Sequence, residues 1–503
     1  MPATSIDEAA REASRVRTLV DHFLDQQGRL DTPVARFAAA QDRGQASGPH
    51  HRDLIPLTAP APGEQYAFEV DLDLCTGCKA CVAGCHSLNG LDEHETWRDV
   101  GVMIGGDEGH PFSQAVTTAC HHCADPACLN GCPVLAYEKD PVTGIVVHLD
   151  DQCIGCNYCV LQCPYDVPKY NAKRGIVRKC DLCQSRLGAG EAPACVQACP
   201  TEAIRVVKVA VADAGRDFLA GAPDPARTRP TTRYLTRRAL PARLLAPDAA
   251  APRPQDPHWP LVILLTLFPA AVGAQAAELL GPAPSPLLAR AALAAGTAAA
   301  AASLAHLGQP LRAWRVFLGL RRSWLSREVI ALALWLALAA GAACGGPAWL
   351  RPVAALAGAA ALGCSVMVYA DTGRDFWRFG ETAPRFFGSA AVLGLAAAFA
   401  LRGGAGLALA LGAVLAAKLA FELRALRGGA DSATPAHRTS RLLAGPLRAA
   451  LGLRLGFGLL ALALLAAGPR WAVPILALLG EGAERYLYFR AVAPPRMPGA
   501  SPS

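Results

Sequence analysis

The chain contains 503 residues, 52% of them hydrophobic, with a mean hydropathy of +0.25 and a formal net charge of +7. The average conceals a polar, cysteine-rich first half and an Ala/Leu-rich second half, so two kinds of domain are expected. The arginines concentrate beside the apolar stretches, and no phosphate-binding Gly-rich loop or nucleic-acid module is apparent. The positive charge therefore does not indicate nucleic-acid binding.

Residues 1–62 form an extension that precedes the first cysteine motif. Within it, the stretch Glu8–Gln27 has the apolar spacing of an amphipathic helix. The side chains predicted to share its apolar face are those of Val16, Leu19, Val20, Phe23 and Leu24. Two interpretations stay open: the helix packs on its own domain, or it docks on another subunit.

Sixteen of the eighteen cysteines lie in four tight groups. The groups are Cys75, Cys78, Cys81 and Cys85; Cys120, Cys123, Cys128 and Cys132; Cys153, Cys156, Cys159 and Cys163; and Cys180, Cys183, Cys195 and Cys199. Three cysteines on one short loop are the bacterial ferredoxin spacing, in which the loop binds one cluster and the fourth cysteine binds a neighbouring cluster. The pattern predicts four [4Fe-4S] clusters, with these sixteen cysteines as iron ligands.

Zinc and disulfides fit this pattern less well. Structural zinc sites prefer two separated Cys-x2-Cys pairs, whereas a third cysteine three residues further on crowds a single small ion. Disulfides suit small secreted domains, and no cleavable secretory segment is visible. A reduced, cytosolic setting is expected for this part of the chain.

The cysteine-rich region, residues 63–210, is predicted to be an α+β domain made of two ferredoxin-like halves. A proline directly follows the last cysteine in three of the four groups and should end any helix there, whereas His86 follows Cys85. Short strands rich in valine and isoleucine flank the cluster loops. They are predicted at Phe68–Leu72, Gly144–Leu149 and Ala203–Lys208.

The second half is predicted to be membrane-embedded. Residues 211–257 are rich in Pro, Ala and Arg and indicate an extended connector over the interface between the two domains. Residues 258–492 alternate apolar stretches with short Arg-rich connections, which is typical of an all-α polytopic bundle, and residues 493–503 form a tail. The eight predicted transmembrane helices are Pro260–Leu280, Leu287–Leu307, Val329–Leu350, Pro352–Ala370, Phe386–Leu401, Leu407–Leu423, Ala449–Ala467 and Trp471–Phe489.

The distribution of arginine predicts the orientation of this bundle. Twenty-three arginines lie before the first span, in alternate connections or near the carboxyl end, and only Arg351, Arg402 and Arg470 lie in the opposite connections. Positive residues favour the cytoplasmic side of a membrane. Both termini and the cysteine-rich domain are therefore predicted on the cytoplasmic side of the inner membrane.

Several sequence motifs resemble one family of enzymes. The motifs are Cys75-Thr-Gly-Cys-Lys-Ala-Cys81, Cys120-His-His-Cys-Ala-Asp-Pro-Ala-Cys128, Asp151-Gln-Cys-Ile-Gly-Cys-Asn-Tyr-Cys159 and Arg178-Lys-Cys-Asp-Leu-Cys183. They resemble the four-cluster electron-transfer subunit of dimethyl sulfoxide reductase-family molybdoenzymes. His306-Leu-Gly-Gln-Pro-Leu-Arg-Ala313 and Ser323-Trp-Leu-Ser-Arg-Glu328 resemble the eight-helix membrane anchor of the same family. The resemblance implies two subunits fused in one chain and a separate molybdopterin-containing catalytic subunit as partner.

The resemblance also implies which cysteines share a cluster, because each ferredoxin half exchanges its fourth ligands. The third group's loop would serve the cluster nearest the membrane, and the first group's loop the cluster nearest molybdenum. The implied sets are Cys75, Cys78, Cys81 and Cys199; Cys180, Cys183, Cys195 and Cys85; Cys120, Cys123, Cys128 and Cys163; and Cys153, Cys156, Cys159 and Cys132.

The electron carrier in the membrane is predicted to be a quinone, either menaquinone or ubiquinone. A bis-histidine haem needs two facing histidines, and His306 is the only histidine within the predicted spans, so no haem is expected. His306 closes the second span and Glu328 directly precedes the third, both at the cytoplasmic edge. In the resembling anchors this His and this Glu belong to the quinol site.

No catalytic centre for a terminal substrate is visible, so the chain is predicted to be an electron-transfer and anchor subunit that oxidises quinol. Three alternatives stay open. A formate-type dehydrogenase would drive electrons the other way, toward quinone. The bundle could move ions, an idea motivated by Arg290 and Lys418 within apolar runs. The membrane half could also be a passive anchor.

Overall fold

The computed structural model describes residues 18–29, 39–40, 42–44, 49–107, 109–246, 249, 251–281, 285–429, 431 and 434–498. The strands are β1 (Glu64–Asp71), β2 (Asp99–Gly106), β3 (Pro111–Thr118), β4 (Tyr137–Lys139), β5 (Val146–His148), β6 (Lys169–Asn171), β7 (Ile176–Arg178), β8 (Ile204–Ala210), β9 (Arg233–Leu235) and β10 (Leu244–Leu245). The helices of the first half are α1 (Leu19–Arg29), α2 (Pro49–Arg52), α3 (Ala80–Leu88), α4 (Ala127–Gly131), α5 (Tyr158–Gln162), α6 (Gln184–Gly188) and α7 (Ala194–Gln197).

The predicted α+β region is confirmed. β1 pairs with β8 in antiparallel register, so that Phe68 lies opposite Val206, and the hairpins β4–β5 and β6–β7 follow the second and third cysteine groups. The prolines act as predicted, since α4 ends at Gly131 and α5 at Gln162, each just before a Cys-Pro pair. Short helices and short strands thus turn the chain back around each cysteine loop.

The predicted connector is partly built into the first domain. β9 adds a parallel strand to β1, and β10 pairs with β2, so two sheets continue past the predicted boundary at residue 210. The connector also reaches the membrane half, where the guanidinium of Arg227 donates to the backbone carbonyl of Asp371 at 2.6 Å. The connector therefore joins both halves.

The second half is helical, as predicted. Its helices are α8 (Trp259–Ala277), α9 (Pro286–Ala305), α10 (Trp324–Ala343), α11 (Leu350–Ala370), α12 (Phe379–Arg402), α13 (Ala405–Leu423), α14 (Pro435–Ala444), α15 (Arg448–Ala467) and α16 (Ala472–Arg490). Seven helices in the described part are long and apolar enough to cross a membrane: α8 to α13, and α15. α16 is also 19 residues long, but three ionisable residues, Glu481, Glu484 and Arg485, lower its apolarity.

Two predicted helix starts are wrong. α10 begins at Trp324, so Glu328 lies inside the helix rather than ahead of it. α12 begins at Phe379, seven residues before the predicted start, so its first turns include Pro384 and the buried Arg385. In both cases polar residues made the first turns look like a connection.

The predicted amino-terminal helix lies partly outside the described residues, which begin at Thr18. The described part, α1, is helical. The side chains of Leu19, Val20, Phe23 and Leu24 on its apolar face are 57% to 72% exposed. The described part therefore does not pack its apolar face on the chain's own domain, and docking on another subunit stays a prediction.

The first half docks on the segment between α9 and α10, which contains a 3-10 helix at Pro310–Gly319. The hydroxyl of Ser323 donates to the carbonyl of Gly131 at 2.7 Å, and the amide of Gln309 donates to the carbonyl of Ile154 at 3.0 Å. Groups from this segment thus hold the backbone of the second and third cysteine groups. This contact places the third cysteine loop directly over the membrane half.

Candidate functional site

The structure gathers the sixteen thiols into four sets that cross between the sequence groups. Cys75, Cys78, Cys81 and Cys199 line one cavity of about 280 Å³. A second cavity of about 370 Å³ is lined by Cys120, Cys123, Cys128 and Cys163. Each cavity takes three sulfurs from one loop and the fourth from a distant group, which is the exchange that ferredoxin spacing implies.

The other two sets show the same exchange. Cys85 has Cys195 and Cys183 as its electrostatic neighbours, and Cys180 in turn neighbours Cys85 and Cys195. Cys132 neighbours Cys153, and Cys156 neighbours both. Cys159 completes this last set. This grouping of the sulfurs is compatible with the pairing implied by the resemblance, and the assignment of each set to one cluster stays a prediction.

Two of the loops have matching backbone conformations. Gly77 and Gly155, the residues before Cys78 and Cys156, have φ of +72° and +69°, where a side chain would be strained. Lys79 and Asn157, the residues after these cysteines, have φ of +61° and +58° and begin α3 and α5. The left-handed residues curl each loop, so that the amide of Gly155 approaches the Cys153 sulfur at 3.4 Å.

The arrangement of the thiols fits clusters better than single ions or disulfides. None of the eighteen cysteines forms a disulfide. Among the described residues, no three His, Cys, Asp or Glu side chains converge as a single metal ion would require. A cubane spreads its four iron atoms and holds its thiolates further apart than one ion does. The cavities and their sulfur sets therefore fit iron–sulfur clusters.

A large cavity lies where the two halves meet. Its empty volume is about 830 Å³, within the range of sites that bind cofactors and small ligands. Cys156 and Tyr158 of the third loop line one side, and His306, Glu328 and Tyr369 of the membrane half line the other. A molecule bound there would contact both the membrane half and a loop that carries iron ligands.

His306 follows the last residue of α9 and lies beside Cys156. Backbone groups of Ser303 and Cys156 approach the imidazole, and its Nδ1 atom has no hydrogen-bond partner within the described ranges. Burial lowers the pKa of His306 below its ordinary value. The ring is therefore neutral at pH 7 and able to accept a proton.

Glu328 faces the same cavity from α10 and is only 7% exposed. The hydroxyl of Ser365 on α11 donates to its carboxyl group. No cationic side chain pairs with Glu328 in the described part of the chain. The structure thus brings together the two residues that the sequence analysis selected.

Two tyrosines complete the cavity, of which Tyr158 was not predicted as a site residue. The hydroxyl of Tyr158 donates to the carbonyl of Val368 at 3.0 Å, which ties the third loop to α11. Tyr369 is 4% exposed, and its ring contacts Trp377 and Tyr488 edge-on, which fixes its position at the cavity wall. Tyr158 sits within the cysteine motif, so the signal for it was adjacency to Cys159.

A second buried polar group lies deeper among α12, α13, α15 and α16. Lys418 pairs with Glu422 at 2.5 Å and with Glu481 at 2.9 Å, and Arg454 pairs with the same two carboxylates at 2.7 and 3.0 Å. We call these four residues the ionic ring. Next to it, Glu484 pairs with Arg385 at 2.9 Å and with Arg485. Lys418 is thus buried, whereas Arg290 is exposed.

Two families match separate parts of the chain. Residues 112–209 match the family described as 4Fe-4S dicluster domain. Residues 291–343, which include His306 and Glu328, match the family described as DMSO reductase anchor subunit. The two matches fall in the two halves that the fold separates.

Curated relatives resemble the first half. The B subunit of the anaerobic dimethyl sulfoxide reductase of Haemophilus influenzae is 39% identical over 150 residues, which are 28% of this chain and 73% of that protein. The corresponding B subunit of Escherichia coli K12 is 38% identical over 148 residues, 28% of this chain and 72% of that protein. The formate dehydrogenase iron-sulfur subunit of H. influenzae is 33% identical over 189 residues, 32% of this chain and 61% of that protein.

Proposed function

Because this chain belongs to the dimethyl sulfoxide reductase family, with the iron–sulfur electron-transfer subunit and the quinol-linked membrane anchor joined in one polypeptide, we propose that it oxidises quinol in the cavity at His306 and Glu328. The electrons would pass through four [4Fe-4S] clusters to a separate molybdopterin-containing subunit. The cavity that contacts Cys156 and both site residues is the observation that carries this proposal.

Each residue in the cavity has a role in this proposal. Quinol oxidation releases two electrons and two protons, so it needs proton acceptors beside the two ring oxygens. Neutral His306 would accept one proton through its free nitrogen, and the Glu328 carboxylate would accept the other, while Ser365 holds that carboxyl group in place. Tyr158 and Tyr369 would position the ring and exclude water.

The sixteen cysteines would hold the clusters in the four sets described above. When bound, the clusters supply one-electron carriers between the membrane edge of the domain and its far end. Backbone amides such as Ala136 N, 3.2 Å from the Cys132 sulfur, would stabilise negative charge on the thiolates. Cys156 lies next to His306, so its set would receive electrons first.

We further propose eight membrane-spanning helices, with α16 as the eighth. Its ionisable residues Glu481, Glu484 and Arg485 are at most 1% exposed and face partners inside the bundle, so they do not require an aqueous setting. An even number of spans, together with the arginine bias, would put both termini and the cluster domain in the cytoplasm. The catalytic partner would then also be cytoplasmic.

The number of clusters is tested by iron analysis. We expect about sixteen irons per chain in the purified complex. Cys156→Ser should lower the iron content and remove the signal of one cluster, because an alcohol is a poorer iron ligand than a thiolate. Cys344→Ser is the control, since this exposed thiol lies at the end of α10, outside the four sets. Far fewer irons in an intact wild-type complex would contradict the proposal.

The docking of the third loop on the cavity is tested at Gly308. A Cβ atom there would lie 2.1 Å from the Gly175 carbonyl oxygen, and Gly155 approaches the Gly308 backbone closely as well. We expect Gly308→Ala to displace the loop and slow quinol-dependent cluster reduction by roughly tenfold or more, with iron content retained. Gly363→Ala is the matched control, because its Cβ would meet nothing within 4 Å. Equal rates in both variants would show that the contact does not matter.

Ion translocation is a second candidate, favoured by the ionic ring. The ring lies in the predicted cytoplasmic half of the bundle. Full proton uptake by vesicles carrying Lys418→Met would remove the candidate.

A further inference from the structure

A buried arginine that has no carboxylate partner among the described residues lies between two of the sulfur sets. Arg98 is 2% exposed, and its guanidinium donates to the Thr117 hydroxyl at 3.0 Å and lies 4.5 Å from the centre of the Phe68 ring. Its Nε and Nη2 atoms have no hydrogen-bond partner in the described part of the chain. Burying such a charge is costly unless negative charge lies nearby.

The negative charge available to Arg98 is that of the cysteines. Its electrostatic neighbours are Cys195 first, then Cys81, Cys180 and Cys85. Cys81 belongs to one sulfur set, and the other three belong to the next. Arg98 is therefore shared by two neighbouring cluster sites.

A lysine occupies the corresponding place one step closer to the membrane. Lys179 is 3% exposed, and its ammonium donates to the carbonyls of Cys180, at 2.8 Å, and Val146. Its electrostatic neighbours among the cysteines are Cys120, Cys128 and Cys180. Lys179 thus lies between the set that contains Cys180, which is the second set, and the set that contains Cys120, which is the third. Its hydrogen bonds go to backbone carbonyls rather than to a carboxylate.

Between the third sulfur set and the fourth set, which lies next to the cavity, the buried side chain is neutral instead. Tyr137 is 6% exposed and lies beside Cys159, Cys128 and Cys132, which belong to the third and fourth sets. The cationic groups near the fourth set have other polar partners. His148 pairs with Asp150 at 2.8 Å and also neighbours Cys153. Arg312, which is partly buried, donates to the Cys153 carbonyl at 3.2 Å.

We propose that Arg98 and Lys179 are fixed cations that raise the reduction potentials of the cluster sites they flank, which are the three sites away from the membrane. A cluster gains one negative charge on reduction, and a buried cation nearby favours the reduced form. The proposal rests on the proposed function.

The test is a redox titration of the purified holo-complex, followed by electron paramagnetic resonance. In Arg98→Gln, the ratio of reduced to oxidised cluster at a fixed potential should fall tenfold or more at the two sets that flank Arg98. This change corresponds to a fall of about 59 mV or more in the reduction potential of a one-electron couple. Lys179→Met should act instead on the sets that flank Lys179. The cluster held by Cys132, Cys153, Cys156 and Cys159 should keep its potential in both variants.

Two further variants separate charge from structure. Arg98→Lys and Lys179→Arg keep the cation and should restore most of each shift. Arg205→Gln removes a surface arginine, 42% exposed on β8, and should shift no cluster. Unchanged potentials in fully loaded Arg98→Gln and Lys179→Met, or an equal shift of all four clusters, would overturn the inference. A wild-type complex short of iron would instead overturn the proposed function.

Discussion

Replacing His306 with alanine is expected to slow the reduction of the clusters by quinol at least a hundredfold, while dithionite reduces them as in the wild type. General acid–base groups contribute about 10² to 10⁴ to a rate, and in the proposed site the imidazole beside Cys156 accepts a proton. Glu328→Gln keeps the shape of the second acceptor but removes its basicity, so a similar loss is expected. Stopped-flow bleaching of the clusters with a menaquinol or ubiquinol analogue measures both rates.

Matched controls show whether these losses are local. His437→Ala removes a histidine from α14, where its Nδ1 atom contacts the Gly429 carbonyl at 2.8 Å, away from the cavity. Glu381→Gln removes a partly exposed carboxylate from the first turn of α12. Both controls should keep the wild-type rate and iron content. A wild-type rate in His306→Ala would mean that the membrane half is a passive anchor.

The cysteine loops could be predicted because the ligand spacing within them is local, whereas the sets that cross between groups were implied by the resemblance. The loops around Cys75 and Cys153 carry the same glycine and a left-handed residue after the second cysteine, so their conformations follow from a few neighbouring residues. Apolar length likewise predicted most membrane helices. The same criterion placed Glu328 outside its helix, however, because hydropathy does not distinguish a buried carboxyl group from one at the membrane surface.

The composition of the cavity could not be predicted, because its walls come from two domains. Tyr158 lies 211 positions before Tyr369, and both line the cavity only because Ser323 and Gln309 dock the third loop. The same limit applies to Lys418. Its partner Glu481 lies on another helix, so the sequence could not distinguish snorkelling to the surface from burial in an ion pair.

Removal of one carboxylate from the ionic ring should destabilise the membrane half by about 3–5 kcal/mol, because it leaves a buried cation uncompensated. The ring contains two cations, Lys418 and Arg454, and two carboxylates, Glu422 and Glu481, with side chains 1% to 6% exposed. Glu481→Gln would leave both cations facing Glu422 alone. The melting temperature of the detergent-purified complex should therefore fall well below that of the wild type.

A balanced double substitution separates charge from packing in this result. In Lys418→Met/Glu481→Met, Arg454 and Glu422 keep their two hydrogen bonds of 2.7 and 2.9 Å, and no uncompensated charge remains in the ring. The double variant should therefore be more stable than Glu481→Gln, although it lacks more polar groups. Glu381→Gln, which breaks a surface pair with Arg424, should cost about 1 kcal/mol or less. A double variant less stable than Glu481→Gln would show that the ring stabilises the bundle through its hydrogen bonds and shape rather than through charge balance.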